Sequence, residues 1–558
     1  MDDLETAIRY HERTKHHFDR FARSRGYMDW ANQPDPFRRY AGAPLLPLPI
    51  RGDPGGPRYD AVYDPGALCP HALDLAGLSE LLYRSMAISA WKEFQGSRWA
   101  LRCNPSSGNL HPTEAYLCCP RVAGLSEAPA IYHYAAMEHG LERRCLLEEG
   151  WWERLELPAD AFLVGFSSIH WREAWKYGER AYRYCQHDLG HALAAMSLAA
   201  GSLGWRTRVL DAMGDREIAA LLGLDQGDGD AEQEHPDLLL LLYPADFGGE
   251  LPTRLPAAAS LEAARGPWLG APNKLSPSTV PWEGIAAVET ACRKEAEAAG
   301  VREAPRAQVG GTQAARGGSA RSLFRRRRSA VAFDGRTGLS LETFGRMLGR
   351  LLPDPARPPW DAWPHPAALS LVLFVHRVDG LPPGLYCLAR PEPGSKGAET
   401  SALRAAMREE FLWEKPEKVA ADLPLFLLLP MDCRGLAQRL SCDQAIAGMS
   451  AFSLGMIAEF EPRIRQAGAW FYRRLFWEAG MIGQVLYLEA EAAGVRATGI
   501  GCYYDDPVHE LLGLEGRRYQ SLYHFTVGGA VDDPRLVTLP AYGSAEDGSA
   551  LGDRVRNG

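Results

Sequence analysis

Four short strings in this 558-residue chain combine residue types that can do chemistry. In Arg102-Cys103-Asn104-Pro105-Ser106-Ser107-Gly108-Asn109, two hydroxyls, a glycine and an amide crowd a turn that leads into a predicted strand at Ala115 to Cys119. So many donors and acceptors suit a polar heterocycle, and equally an ordinary Ser/Asn/Gly turn. In Arg325-Arg326-Arg327-Arg328-Ser329, consecutive guanidinium groups and a hydroxyl can grip a phosphate by bidentate hydrogen bonds. A basic run is also a common form of solvated surface. In Gly499-Ile500-Gly501, two glycines around an apolar residue let backbone N–H groups approach a flat ligand, or simply make a turn. The fourth string, Trp175 to Leu193, reads as one helix carrying Lys176, Arg180, Arg183 and His187 on a face, with Tyr177, Tyr184, Asp188 and His191 adjoining. His187 and His191 have the i, i+4 spacing of a zinc pair. No Glu follows the first, no third ligand is evident and a glycine precedes the second, so no metal is expected.

The elements that position these strings are duplicated. Shifting Tyr182 to Leu224 forward by 290 positions, onto Tyr472 to Leu514, aligns 12 of 43 residues without a gap, against about three by chance. Tyr182 falls on Tyr472, Arg183 on Arg473, Gly190 on Gly480, Gly204 on Gly494, Arg206 on Arg496, and each copy ends in Leu-Leu-Gly-Leu. Each copy predicts a long helix, a shorter one and then a strand, Leu238 to Tyr243 in the first and Tyr523 to Val527 in the second. A glycine inside a helix costs about 0.5–1 kcal/mol relative to alanine. The same cost at Gly190 and Gly480 predicts a close approach of the two helices across a pseudo-twofold axis. The Pro, Gly, Ala and Arg-rich middle of the chain reads as a flexible tether with a short helix near Ile285 to Ala299. The expected layout is therefore one domain at 1–265, a linker at 266–320 and a second domain at 321–545.

Composition narrows the function classes. Lys+Arg 61 against Asp+Glu 70 leaves a net charge of −9, which argues against a surface built for nucleic acid or anionic lipid. No apolar run has the length of a membrane span, the start is acidic without a signal pattern, and eleven scattered cysteines without C-x-x-C fit reduced thiols. A soluble cytoplasmic enzyme is expected, without nucleic-acid or membrane partners.

With these strings in hand, the chain resembles a tandem member of the FMN-dependent nitroreductase superfamily. Within it, the Trp175–Leu193 segment and Pro105-Ser106-Ser107-Gly108-Asn109 are similar to the SagB/ThcOx type of dehydrogenase, which oxidises azolines to azoles in peptide natural products. The resemblance implies an α+β fold, two nitroreductase-like domains each with a central antiparallel sheet flanked by helices, docked as an intrachain pseudo-dimer that can act as a monomer. In that family an Arg-Arg-Ser element holds the FMN phosphate and ribityl chain, and a Pro-Ser-Ser-x-Asn element comes from the opposite subunit. Carried over, Arg326, Arg327, Arg328, Ser329, Gly499, Ile500 and Gly501 of the second half would meet Arg102, Pro105, Ser106, Ser107 and Asn109 of the first in one composite FMN site. Val331 stands where the family usually has a further basic residue, which Arg325 or Arg326 would replace. The twin site is expected to be degenerate. Trp363-Pro364-His365 has lost the hydroxyls, Arg38-Arg39-Tyr40 lacks the serine, and Arg208-Val209-Leu210 replaces the glycine turn.

The resemblance also implies a role for Lys176 and Tyr177 as proton acceptor, with a pKa lowered by neighbouring guanidinium groups, while hydride passes to flavin N5. At the 290 offset the pair becomes Gln466-Ala467. The substrate would be a small molecule or modified peptide, with NAD(P)H or another electron partner. The alternatives are an NAD(P)H-dependent nitro or quinone reductase, and a flavin-poor accessory subunit.

Overall fold

The computed structural model describes residues 2–52, 55–226, 232–303, 318–391 and 398–543. Each half of the chain is built on one antiparallel sheet. The first has seven strands, in the spatial order Leu45–Pro47, Gly140–Leu146, Ala130–Ala135, Thr113–Cys119, Phe162–Ser168, His235–Pro244, Trp205–Val209. The second has six, in the order Leu425–Pro430, Gly384–Leu388, Leu369–Val375, Phe452–Glu459, Tyr519–Gly528, Arg496–Ile500. Central strands such as Thr113–Cys119, Phe162–Ser168 and Tyr519–Gly528 are buried along their whole length. That is why their sequences do not alternate apolar and polar residues, as strands with one wet face do.

The helices that matter for the site are α1 (Asp3–Arg13), α2 (His170–Tyr177), α3 (Ala181–Gly201), α4 (Asp215–Leu222), α5 (Ala320–Arg326), α6 (Glu461–Ala467), α7 (Phe471–Ala492) and α8 (Asp505–Leu512). The duplication is visible in their numbering: adding 290 carries α4 onto α8 residue for residue, and α3 onto α7 to within one residue at the C-terminal end. The long helices α3 and α7 pack on each other at the centre of the molecule, and every residue of α3 is buried. A helix buried on all sides needs no amphipathic stripe.

The glycine prediction is met in reciprocal form. A Cβ on Gly190 would strike the carbonyl oxygen of Trp477 and lie 2.9 Å from the Cα of Gly480; a Cβ on Gly480 would strike the carbonyl oxygen of His187 and lie 2.8 Å from the Cα of Gly190. Trp477 is His187 shifted by 290, so the contact is a true pseudo-twofold crossing.

The same symmetry sets the buried charges. Arg183 of α3 pairs with Asp505 at 2.8 Å, and its counterpart Arg473 of α7 pairs with Asp215 at 2.6 Å. Asp505 also takes Arg180 at 2.9 Å. Each half thus offers a carboxylate at the start of a short helix to an arginine on the other half's long helix, where the helix dipole adds to its stabilisation.

Two expectations need correction or refinement. The Trp175–Leu193 segment is not one helix: α2 ends at Tyr177, Gly178 turns with φ +58°, and α3 begins at Ala181. Gly178 is required because a Cβ there would lie 2.7 Å from the Cα of Ser24, on the N-terminal segment crossing it. Arg180 and Arg183 consequently face Asp505 and not solvent. The stretch expected as a tether carries a helix at Glu283–Ala291, with Leu275, Val288, Cys292 and Lys294 buried. Glu232 accepts the backbone N–H groups of Leu275 and Ser276, both at 2.7 Å. Residues 304–317 of that stretch lie outside the described residues.

Both chain ends are exchanged between the halves. Helix α1, whose N-cap Asp2 accepts the N–H of Leu4, reaches the second half: His11 Nε2 lies 3.3 Å from Gln520 Oε1, and Lys15 bonds Asp506. At the other end, Val537–Leu539 adds to the edge of Ile88–Phe94, and the Tyr542 hydroxyl donates to Ala136 O at 2.7 Å. Among the described residues no helix is long and apolar enough to cross a membrane.

Candidate functional site

Helix α5 opens with Ser319, whose hydroxyl accepts the N–H of Ser322. It breaks at Arg327, where the backbone becomes extended. The chain then runs beside the strand Arg496–Ile500, with Ser329 bridged to Ala497 and Ala330 N–H donating to Ala497 O at 3.0 Å. The Tyr487 hydroxyl of α7 accepts the Gly499 N–H at 3.0 Å and bonds the Ser329 hydroxyl at 2.8 Å. The arginine run and the glycine turn, some 170 residues apart, are in this way fixed to each other.

The serine knot of the first half comes to the same place. Arg327 crosses the boundary, its Nε donating to Cys103 O at 2.8 Å and its Nη2 to Arg102 O at 3.0 Å. Arg328 bonds the hydroxyl and carbonyl of Ser89. Between the halves lies a cavity of about 930 Å³, lined by Arg102, Asn104, Pro105, Ser106, Ser107, Gly108 and Asn109 from one side and by Arg326–Ser329 and Thr498–Cys502 from the other. All twelve residues expected to bind the cofactor, from Arg102 to Gly501, therefore line one cavity.

Their hydrogen bonds are less available than the sequence implies. Ser107 gives both its N–H and its hydroxyl to Asp188 of α3, at 3.0 and 2.9 Å. Ser106 accepts the His111 N–H at 2.7 Å, and Asn109 donates to Ala100 O at 2.8 Å. The knot is thus a shaped wall held from behind. Burial pushes Asp188 up to about 7 despite its bonds from Ser106 and Ser107. Burial, then the neighbouring Asp188, holds Glu173 well above the usual carboxylate range.

Lys176 and Tyr177, at the end of α2, sit over the knot. Gly108, at φ +58°, has no room for a Cβ, which would come 2.7 Å from the Tyr177 hydroxyl and 3.0 Å from Lys176 Nζ. Tyr177 lines the cavity and Lys176 is exposed beside it. The expected lowering of the tyrosine pKa is not found: burial, then Glu173, raises Tyr177 well above 10, and the guanidinium groups of Arg180 and Arg183 are spent on Asp505. Tyr177 is a neutral hydrogen-bonding group here.

Sequence reasoning missed two cations. Lys92, on a first-half strand, and Arg496 line the cavity with Arg326 and Arg328. Burial, then Arg328, lowers the Lys92 pKa, with Arg496 adding to the effect. Cations crowded in this way are a receptor for a multiply charged anion. Arg325, the proposed substitute for the missing basic residue, instead donates to Tyr83 O and stacks on the Tyr83 ring. The offset match of Arg206 with Arg496 was the available signal for Arg496; nothing in the sequence points to Lys92.

The donor set fits FMN. Lys92, Arg328 and Arg496 lie close enough to act on one another at the cavity wall, Arg496 also pairing with Asp532, while Arg326 pairs with Glu491. The buried Arg327 Nη1 and Asn104 Oδ1 lack protein partners and belong to cavity-lining residues. Tyr184 and Tyr523 pack so tightly on Gly501 and Gly499 that a Cβ at either glycine would strike a tyrosine ring, leaving a flat backbone wall.

At the pseudo-equivalent place the pieces are occupied by one another. Arg206 pairs with buried Asp361 at 3.1 Å and Arg208 donates to Asp361 O. Arg38 pairs with Glu234, and Arg39 with Glu138 and Glu142. The two histidines weighed as metal ligands serve packing: His187 stacks on Tyr523 at 4.1 Å, and His191 Nε2 meets the Tyr523 hydroxyl at 3.2 Å. Among the described residues no cluster of metal-ligating side chains is present.

Comparison with known proteins agrees with this architecture. The Nitroreductase family model matches residues 92–233 and again 398–529. A protein of Methanocaldococcus jannaschii named as a nitroreductase is 27% identical over 180 residues, which is 31% of this chain and 81% of that protein. The crystal structure of a protein from Anabaena variabilis, also named as a nitroreductase, superposes with a TM-score of 0.65 at 21% identity, over 94% of this chain and 99% of its own. The chain carries the nitroreductase-family domain twice, and it is an oxidoreductase of that fold whose two copies are docked face to face.

Proposed function

We propose that the chain binds one FMN in the cavity between its halves and acts as a SagB/ThcOx-type dehydrogenase on an azoline-like heterocycle or a related C–N bond. The observation that carries the reading is the division of labour in the cavity: Lys92 of one half and Arg328 and Arg496 of the other stand together on its wall, while Lys176 and Tyr177 sit over the knot. Bound FMN would supply the two-electron acceptor for hydride. The phosphate would lie among Lys92, Arg328 and Arg496, with Ser329 and the Gly499–Gly501 turn along the ribityl chain.

Removing a hydride from an azoline also requires removing a carbon-bound proton, so a base must stand at the substrate. Lys176, placed over the knot, is that base. Tyr177, kept neutral by burial, donates a hydrogen bond that orients the substrate. At the matching place in the second half Gln466 cannot take up the proton and Ala467 cannot donate a side-chain hydrogen bond, which fits one working site per chain.

Purified protein is expected to bind one FMN per chain. Lys92→Ala and Arg496→Ala, one in each half, are expected each to weaken that binding. Two FMN per chain, or sensitivity to only one of the two variants, refutes the composite site. Turnover of NAD(P)H with nitroaromatics or quinones but not of an azoline peptide would replace the dehydrogenase reading by a reductase, and failure to bind FMN would leave the accessory role.

A further inference from the structure

Of the eleven cysteines, eight are buried and Cys69 stands exposed and alone; Cys442 and Cys502 are both partly exposed. Cys502 follows the glycine turn and lines the cavity. Cys442 lies in the loop after the helix Arg434–Leu440, and the two side chains are close enough to influence each other's ionisation.

The approach is built into the backbone. Tyr504 N–H donates to Leu440 O at 2.9 Å. The Gln444 amide bridges the two segments, donating to Ser441 O at 2.8 Å and to Cys502 O at 3.1 Å. Cys442 and Asp443 are both left-handed, at φ +53° and +57°, a conformation that residues with a Cβ adopt only when their surroundings hold them there. The loop therefore carries backbone strain while its neighbours pin Cys442 beside Cys502.

We propose that Cys442 and Cys502 are a redox-active dithiol, and that its disulfide form staples the 441–444 loop to the glycine turn of the cavity wall. The oxidant is a small disulfide of the glutathione class. Cys502, as thiolate, attacks one sulfur of the oxidant, forming a mixed disulfide and releasing one thiolate. Cys442 then gives up its proton and attacks the Cys502 sulfur, releasing the second thiolate. Two protein thiols are oxidised, one small disulfide is reduced to two thiols, and the two protons lost by the cysteines end on them.

The order of attack follows from the surroundings. Cys502 lines the cavity, where a small disulfide can reach it, and Cys442 lies in the loop beside it. Cys502 is thus the nucleophile and Cys442 the resolving thiol. The thiol chemistry requires no occupant in the cavity.

The test is incubation of the full chain with oxidised glutathione, followed by alkylation and peptide mapping without reduction. A Cys442–Cys502 cross-linked peptide pair, reversed by dithiothreitol, is expected, while Cys69 takes a stable glutathione adduct. Cys442→Ser is expected to trap glutathione on Cys502, and Cys502→Ser to leave Cys442 unmodified over the same time. Separate glutathione adducts on Cys442 and Cys502 without a cross-link, or modification of Cys69 while both stay reduced, overturns the proposal.

Discussion

Asp505→Asn tests the link between the pseudo-twofold clasp and the cavity. Asp505 is fully buried and accepts Arg180 at 2.9 Å, Arg183 at 2.8 Å and the His16 N–H at 2.9 Å. Asparagine preserves the shape and one carbonyl acceptor but removes the charge that two buried guanidinium groups share. Breaking a buried pair by removing one partner costs about 3–5 kcal/mol, a large part of the 5–15 kcal/mol that typically separates folded from unfolded protein.

The matching change in the other half is a built-in control. After Asp215→Asn, Arg473 still has Asp237 at 4.0 Å, whereas among the described residues Arg180 and Arg183 pair with no carboxylate but Asp505. Asp505→Asn should therefore be the costlier of the two, read as the larger fall in the urea midpoint at unchanged slope. Arg180 also donates to Gly501 O at 3.3 Å, so Asp505→Asn should weaken FMN binding and Asp215→Asn should not. The pH dependence has a definite sign. Burial alone would raise the Asp505 pKa, but Arg180 and Arg183 hold it far below the usual carboxylate range. Its contribution is present above the unfolded value near pH 4 and is lost as pH falls below it. A loss under about 1 kcal/mol, the range of an exposed pair, or equal losses for the two variants, would refute the reasoning.

Further outcomes follow from single contacts. Gly190→Ala forces a methyl group into the Trp477 carbonyl and should cost about 1–3 kcal/mol or more in thermal unfolding; a neutral result would mean that α3 and α7 do not cross there. Asp188, raised to about 7 in the folded protein, should make stability fall as pH rises from about 4 to 7, because the folded state then holds more protons than the unfolded one. Asp188→Asn should flatten that slope, and an unchanged urea-midpoint profile would contradict it. Lys176→Ala should retain FMN but lose at least about a hundredfold in kcat with an azoline substrate, the lower part of the range for a general base; stopped-flow flavin reduction reads it, and unchanged reduction removes Lys176 from the mechanism. Gly501→Ala, whose methyl would strike the Tyr184 ring, should lower FMN affinity while the circular dichroism spectrum is kept.

The parts of this molecule legible in the sequence were those that symmetry writes twice. Gly190 and Gly480 predicted a helix crossing because an identical penalty at identical places needs a shared cause. The serine knot, arginine run and glycine turn were ambiguous one by one, and only the family resemblance, in which such elements come from opposite subunits, assigned them to one site. What could not be read was direction. Arg180 and Arg183 share the polar surface pattern of Lys176, yet Gly178 turns the chain between them, leaving Lys176 exposed beside the cavity and sending the others to a buried carboxylate 325 and 322 residues away. Lys92 reaches the cavity through a strand whose outer edge is completed by Val537–Leu539 from the far end of the chain, a pairing no local pattern announces.

Fusion into one chain explains how the asymmetry could arise without loss of the fold. In a pair of identical subunits, any change that fills one interfacial site fills both. Here Arg206 and Arg496 descend from the same position, and their fates differ: Arg206 is buried on Asp361, while Arg496 pairs with exposed Asp532 at the cavity edge. A buried arginine–aspartate pair at one site can add rigidity and orientation to the interface only if the other site no longer depends on the same residue. The clasp that holds the halves, Arg183 on Asp505 and Arg473 on Asp215, stayed symmetric because both copies must dock. The positions of Arg206 and Arg496 are under no such constraint, and they diverged.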